Sequence, residues 1–498
     1  MLASRRLQVP PAYLVPPLDG LGGLRAVPGR GEQRRAALYD TDSLDLTRWG
    51  ARIEHDPSSG WRIELPGTGA LPRAVHRLAG GPVVPSAIVD ALSSLSAGQP
   101  LRRLVRLDVR AEVVLLIGGD EEPTVVVADE EISVTEGRRL VARFRELVLR
   151  PGSGATDATL DEVERALVMA GASVLEGGTS RLIEVFGQRA VTPPLELPDP
   201  ESRDREPRDR EPRDREAVPD RLAAFVTERL RAHVRGLLIV VPHLRVGGGV
   251  DALELCEAGL RGLRAELQLW REHLEEDVGD LVDELTALHE QVRWILEPQR
   301  LMTSVATAAA TLGAEDDRGF LDEALRDEYR CRHEALREVL APGSVVRTWS
   351  AVAALGAGVE VQGASRGDDP AELARQVAVT WWEALERQVA AGEASEQRAT
   401  LEVLRAASVL GKQAGHKGAK RFRARLDRYH DALLMVGSSS ETTAWLTRCG
   451  RGQVEPERAL LVGRLCGALE VRCAEARREL TGAWEDCSSP KGRRWLDG

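Results

Sequence analysis

No apolar run in the 498 residues approaches the roughly 20 needed for a helix to cross a bilayer; the longest, such as Gly236–Pro242, fall well short. Arg5 and Arg6 near the start are followed by Val9-Pro10-Pro11 and not by an apolar segment, so no signal peptide is expected. The six cysteines (Cys256, Cys331, Cys449, Cys466, Cys473 and Cys487) form no CxxC pair and have no histidine cluster at zinc spacing, which predicts reduced thiols in a cytoplasmic protein. There is no GxSxG, no phosphate loop and no dinucleotide fingerprint. Gly247-Gly248-Gly249 lacks the Lys-Ser/Thr pair that a phosphate loop needs. Positive charge is also short. The net charge of −11 argues against broad nucleic-acid binding, which depends on neutralising phosphates with Lys and Arg. These absences predict neither a nucleic-acid nor a membrane partner.

What is present is the balance of a globular protein, 43% hydrophobic and 29% charged. The abundance of Ala, Arg, Gly and Leu points to a bacterial source. The clearest internal boundary is Glu196–Asp220, where Glu-Pro-Arg-Asp-Arg repeats with no aromatic residue. Such a segment buries too little surface to offset the entropy of ordering, and its regular prolines favour an extended spacer. The chain therefore divides into residues 1–190, a charged disordered linker 191–219, and residues 220–498.

The two flanks differ in period. Before the linker, Ala36–Tyr39, Trp61–Leu65, Val113–Ile117, Thr124–Val127 and Phe144–Leu149 read as strands, with a hairpin at Gly118-Gly119-Asp120. Thr159–Ala170 reads as a helix with Leu160, Val163 and Leu167 on one face. Many short strands with one helix predict an antiparallel barrel or sandwich. After the linker, eight amphipathic segments read as helices: Arg221–Val241, Val250–Leu274, Val278–Leu296, Phe320–Leu340, Pro370–Ala390, Ser395–Leu410, Lys417–Val436 and Pro456–Trp484. They predict an all-helical bundle, with Trp270, Trp381 and Trp382 as core anchors. The fold class expected is α+β.

Within the first flank, Leu38-Tyr39-Asp40-Thr41 with Trp49-Gly50, then Gly60–Pro66, Val127-Ala128-Asp129-Glu130-Glu131-Ile132, Phe144-Arg145-Glu146-Leu147, and Gly171-Ala172 with Thr179–Leu182 resemble, in order, the segments of the CYTH family. The resemblance implies an eight-stranded antiparallel triphosphate tunnel, whose members act on triphosphates with magnesium or manganese. It implies Glu146 and Asp129 as catalytic and metal-binding carboxylates, and Arg73, Arg110 and Arg181 as phosphate-binding cations. The family's opening Glu-x-Glu-x-Lys would fall on Leu2, Ser4 and Arg6, and its basic strand carries Glu54, His55 and Asp56. Glu64 stands at a lysine position, and Val148 and Arg150 at carboxylate positions. A cavity depleted of both its cations and its metal ligands is the expectation. Inward Glu54 and Glu64 would repel a polyanion.

Residues Arg221 to about Trp495 resemble the CHAD domain, helical and internally duplicated, in which a basic helix face is associated with inorganic polyphosphate. The first copy would run from Ala252 through Arg264 and the second from Thr400 to Lys412, with Glu254 and Glu402 at the two histidine positions. Gly262 also replaces a basic residue. Arg261, Arg264, Arg405 and Lys412 remain as phosphate-binding candidates. Lys417, Arg421, Arg425 and Arg428 extend the basic stretch, opposed locally only by Asp427. Yet Lys and Arg against Asp and Glu over residues 221–498 give −5. Glu257 one turn before Arg261 makes a self-satisfying pair.

Three readings follow: a catalytically impaired module that binds triphosphate or polyphosphate, a protein-interaction module, or a weak triphosphatase using Glu146 and Asp129. No cofactor is expected except magnesium or manganese for the last.

Overall fold

The structure is a computed structural model that describes residues 4–119, 122–175, 185–191, 221–340, 342–362, 369–413, 416–451 and 455–497. The chain forms two compact units, 1–196 and 197–498. The charged repeat, Glu196–Asp220, lies wholly outside the described residues.

The first unit is a ten-stranded sheet: β1 Arg5–Val9, β2 Arg25–Pro28, β3 Glu32–Asp40, β4 Arg52–Asp56, β5 Gly60–Leu65, β6 Ala74–Leu78, β7 Arg102–Ile117, β8 Pro123–Glu136, β9 Arg139–Pro151 and β10 Ser173–Val174. Its hydrogen-bonded order is β10-β1-β9-β8-β7-β3-β4-β5-β6, with β2 beside β7, and all pairs are antiparallel. Among the described residues two helices longer than a single turn accompany it, α1 Ser86–Ser96 and α2 Asp157–Met169. Thr156 caps α2 by accepting from the Thr159 amide at 3.1 Å.

A closed eight-stranded tunnel was expected; among the described residues the sheet is open, with β6 and β10 as its edges. The strands at its centre are also longer than the sequence suggests. β7, β8 and β9 have 16, 14 and 13 residues, because charged positions on their solvated face break the apolar pattern without breaking the ladder. The α1 helix was not anticipated.

Side chains alternate across the sheet. On one face Leu7, Val127, Leu147 and Leu149 pack beneath α2 (Leu160, Val163, Leu167) and the segment carrying Tyr13 and Leu18. The other face is apolar at one end, where Leu38, Leu107, Val109, Ile132 and Val134 meet Val185 and Phe186. Its opposite end is charged. The Tyr39-Asp40-Thr41 motif is structural: fully buried Asp40 accepts from the amides of Thr41, Leu46 and Thr47 and from the Thr47 hydroxyl, holding a single-turn helix at Asp45–Arg48.

The second unit contains α3 Arg221–Arg245, α4 Val250–Trp270, α5 Gly279–Leu312, α6 Gly319–Val339, α7 Pro342–Ala357, α8 Pro370–Ala391, α9 Ala394–Gln413, α10 Lys417–Arg451 and α11 Pro456–Ser488. The α7 helix, which the sequence reading did not include, opens on Pro342, and a first-turn proline loses no helical hydrogen bond. The α5 helix continues through Pro298 to Leu312, and α10 runs well past Val436. Asp369 caps α8, with Pro370 at its first turn and Gly392 in the left-handed conformation after it. Trp270 is fully buried and Trp382 stacks on Trp484 at 5.4 Å, while Trp381 is half-buried.

Gly262 is a packing seat and not a vacated anion contact. A Cβ there would lie 2.5 Å from the His233 ring of α3, and one at Gly259 would lie 2.8 Å from Leu237. Close approach of α3 and α4 requires these glycines.

Candidate functional site

Each unit contains one prominent cavity. In the first unit a cavity of about 1210 Å³ occupies the charged end of the sheet. The parity of the strands decides what lines it. Arg6 on β1, Arg34 on β3, Arg52 and Glu54 on β4, Arg62 and Glu64 on β5, and Glu130 and Arg150 on β8 and β9 all point inward. Arg6 on one side of the sheet feels Arg52 and Glu64 on the other, so the sheet curls around this space although its edge strands do not pair.

The expected loss of cations is therefore corrected: eight arginines and six carboxylates line the cavity. The motif comparison followed Glu54, His55 and Asp56. The cations instead come from Arg34, Arg52 and Arg77, outside the motif positions, and from Arg62 and Arg150, which stand within the resembling segments at positions not read as cationic. The expected inward Glu54 and Glu64 are present but neutralised. Arg52 binds Glu54 at 2.6 Å, Arg34 binds the same carboxylate, and Arg62 binds Glu64 at 2.8 Å. Arg150 bridges Glu32 and Glu130, both at 3.1 Å, and Arg6 lies 3.5 Å from Glu146. Burial and Arg52 push the Arg6 guanidinium pKa down, against Glu146, Glu130 and Glu64. Burial also opposes the charge on Arg34, but Glu54 and Glu130 outweigh it.

Glu146 is buried on the inner face, as expected. Asp129 is not its partner. Glu146 stands opposite Glu130, whereas Asp129 stands opposite Leu147 and points to the other face. There Arg145 grips it through two bonds of 2.8 and 2.6 Å. A one-residue step along a strand reverses the face, and adjacent acidic residues leave that choice open in a sequence. Arg110 is likewise corrected. It is exposed on the outer face in register with Glu131, away from the cavity. Arg73 lies at the cavity rim and donates to the Gly50 carbonyl at 3.4 Å. Arg181 lies outside the described residues.

Magnesium or manganese would need several unencumbered oxygen ligands in near-octahedral order. Among the described residues no three acidic, histidine or cysteine side chains are so grouped. Glu130 and Glu146 each have an arginine within reach. These residues do not fit the ion.

The second unit's cavity, about 550 Å³, lies among α4, α5, α9 and α10. Two glutamate–histidine pairs face each other across it. Glu257 of α4 accepts from His289 Nε2 of α5 at 3.0 Å. Glu402 of α9 lies 3.2 Å from His430 Nε2 of α10. Arg261 spans the two acids, 3.4 Å from Glu257 and 3.8 Å from Glu402. Glu402 is thus matched across the cavity by Glu257; the expected Glu254 is exposed on the outside of α4. Arg264 donates to His289 Nδ1 at 2.8 Å, which places the ring proton on Nε2. The buried His430 Nδ1 has no hydrogen-bond partner among the described residues.

Burial alone would raise the Glu257 pKa, but His289, Arg261 and Arg300 pull it down to about 2. Burial is outweighed in the same way at Glu402, by His430, Arg405 and Arg261. Arg264, Arg293, Arg300 and Arg398 crowd one side of the cavity. Burial and Arg293 push the pKa of Arg398 down; Arg264 is lowered by the same two influences, against Glu290. Among the described residues Arg293 has no carboxylate within 4.0 Å, and Arg398 donates only to the Ala394 carbonyl. The sequence signalled neither arginine, because both lie outside the resembling motifs.

Arg261 and Arg264 line this cavity; Arg405 does not, being bound to Glu402 at 3.1 Å and Asp427 at 2.8 Å. The basic stretch at the start of α10 is less free than its sequence suggests. Arg425 binds Asp486 of α11 at 3.1 Å, Arg428 binds the same carboxylate, and Arg423 binds Asp427 at 2.9 Å. Lys412 and Arg421 are exposed, and the Lys417 side chain lies outside the described residues.

No protein-family model matches the chain, and no curated protein matches it. Among solved structures, PptA from Streptomyces chartreusis aligns over 54% of this chain and 100% of its own, at 19% identity and a TM-score of 0.42. The architecture is a mixed one: an N-terminal antiparallel sheet followed by a C-terminal helical unit, with no described helix long and apolar enough to cross a membrane.

Proposed function

We propose that the chain binds a compact phosphate ligand without metal-dependent hydrolysis, and that the cavity of the helical unit takes it. The observation that carries this reading is the crowding of Arg264, Arg293, Arg300 and Arg398 around one half-open cavity, with Arg293 lacking a carboxylate partner among the described residues. Guanidinium groups held close together repel one another and, where half-buried, lose hydration, and an anion among them relieves both costs. Guanidinium forks match phosphate oxygens two at a time. The volume suits a small ligand, by the usual range of about 300–1,000 Å³. The arginines of the sheet cavity differ, since most already hold inward carboxylates and an incoming anion must displace them.

Calorimetric titration with tripolyphosphate tests the reading. Arg293→Ala and Arg398→Ala should each weaken binding by about 10- to 100-fold, the range for losing a charge-assisted contact. Incubation with tripolyphosphate and magnesium or manganese should release no phosphate. Turnover that Glu146→Gln abolishes would replace this reading with hydrolysis in the sheet cavity. Retention on long polyphosphate, lost on reversing Arg421 and Arg425, would move the ligand to the start of α10.

A further inference from the structure

One surface belongs to neither cavity. On the outer face of the sheet, strands β3, β7, β8 and β9 stand side by side at the end not covered by α2. Register orders their side chains in rows. Arg106, Thr135 and Leu140 form one row, Arg35, Asp108, Ser133 and Arg143 the next, and Arg110 and Glu131 a third. Rows two residues apart are about 7 Å apart and strands about 4.8 Å apart, so the face spans roughly 14 Å each way. Arg102, Arg103, Arg138 and Arg139 rim it, all exposed. Arg102 binds Asp42, and Arg35 binds Asp108 at 3.2 Å. Among the described residues Arg103, Arg106, Arg110, Arg138, Arg139 and Arg143 have no carboxylate within 4.0 Å. The arginines of the inner face are mostly paired, as shown above.

Two features narrow the occupant. Among the described residues the face offers no aromatic ring on which a base could stack, the usual platform for single-stranded nucleic acid. In the row nearest the tip of the β8–β9 hairpin, Leu140 is 45% exposed, with Arg106 in its own row and Arg143 in the next. An apolar side chain ringed by guanidinium groups on a broad open face suits a surface that is anionic outside and apolar just beneath. We propose that this face docks on anionic phospholipid, with the arginines on the headgroup phosphates and Leu140 entering the boundary below them. The contact is peripheral and does not depend on the ligand reading of the helical cavity.

Co-sedimentation of the full chain with vesicles of equal parts phosphatidylglycerol and phosphatidylcholine tests it. The chain should sediment with these vesicles at low salt, stay in solution with pure phosphatidylcholine, and be released as salt rises. Each arginine near an anionic leaflet contributes about a fivefold factor in partition, so Arg106→Gln, Arg110→Gln and Arg143→Gln together should lower it about 100-fold. Leu140→Ser should lower it several-fold. Circular dichroism melts check that both variants remain folded. Failure to sediment with the anionic vesicles overturns the proposal, as does full retention of the triple arginine variant. Binding indifferent to Leu140→Ser overturns the entry of Leu140 into the boundary below the headgroups.

Discussion

Glu257 and His289, 32 positions apart in the chain, meet at 3.0 Å in the helical cavity, and Glu402 and His430 repeat the arrangement in the second hairpin. The folded Glu257 pKa of about 2 lies below the ordinary glutamate value, so the folded state binds fewer protons. Its contribution to stability is complete above the unfolded value and is lost as pH falls from about 4.5 toward about 2. Glu257→Gln should cost about 2–3 kcal/mol near neutral pH, and the difference should shrink through that window. Urea unfolding at several pH values measures it.

Arg145 joins the sheet to the first segment of the chain. It binds Asp129 twice and donates to the carbonyls of Pro11 and Tyr13 at 3.1 and 2.8 Å. Arg145→Ala should destabilise the sheet unit by about 2–4 kcal/mol, because it strands a mostly buried carboxylate. Asp129→Asn should leave tripolyphosphate binding unchanged, since this side chain belongs to the sheet unit and lines neither cavity. Thermal melts and the calorimetric titration separate the two effects.

The cysteines should differ sharply in reactivity. Burial pushes the thiols of Cys256 and Cys487 up to about 12, whereas Cys331 is exposed. The thiolate is the reactive form, so alkylation of the folded chain should label Cys331 first and leave Cys256 and Cys487 unmodified until unfolding. Peptide mapping by mass spectrometry after timed iodoacetamide treatment checks the order.

Leu263 is fully buried in α4, one residue from the Gly262 seat of His233. Leu263→Ala should cost about 2–5 kcal/mol through the cavity it leaves. Gly262→Ala should also destabilise the unit, because its methyl group has no room beside the imidazole. A fall in the unfolding midpoint in urea with an unchanged slope would register both.

Much of this architecture can be read along the chain. The change from period 2 to period 3.6 marks the two units, and alternation on β9 places Glu146 inward and Val148 and Arg150 on the same face. Glycine and proline signals were less decisive. Pro342 begins α7, a helix that the sequence reading did not include, and Gly262 proved to be a contact between helices.

Local period and composition are properties of neighbouring residues, and they determined the α+β organisation, the charged repeat and the amphipathic faces. The tertiary structure alone decided which charges neutralise one another. Asp486 reaches Arg425 from 61 positions away, Glu257 meets His289, and Glu130, not Asp129, stands opposite Glu146. Electrostatic energy depends on separation in space and on burial, and sequence spacing sets neither once helices and strands from distant parts of the chain are packed together.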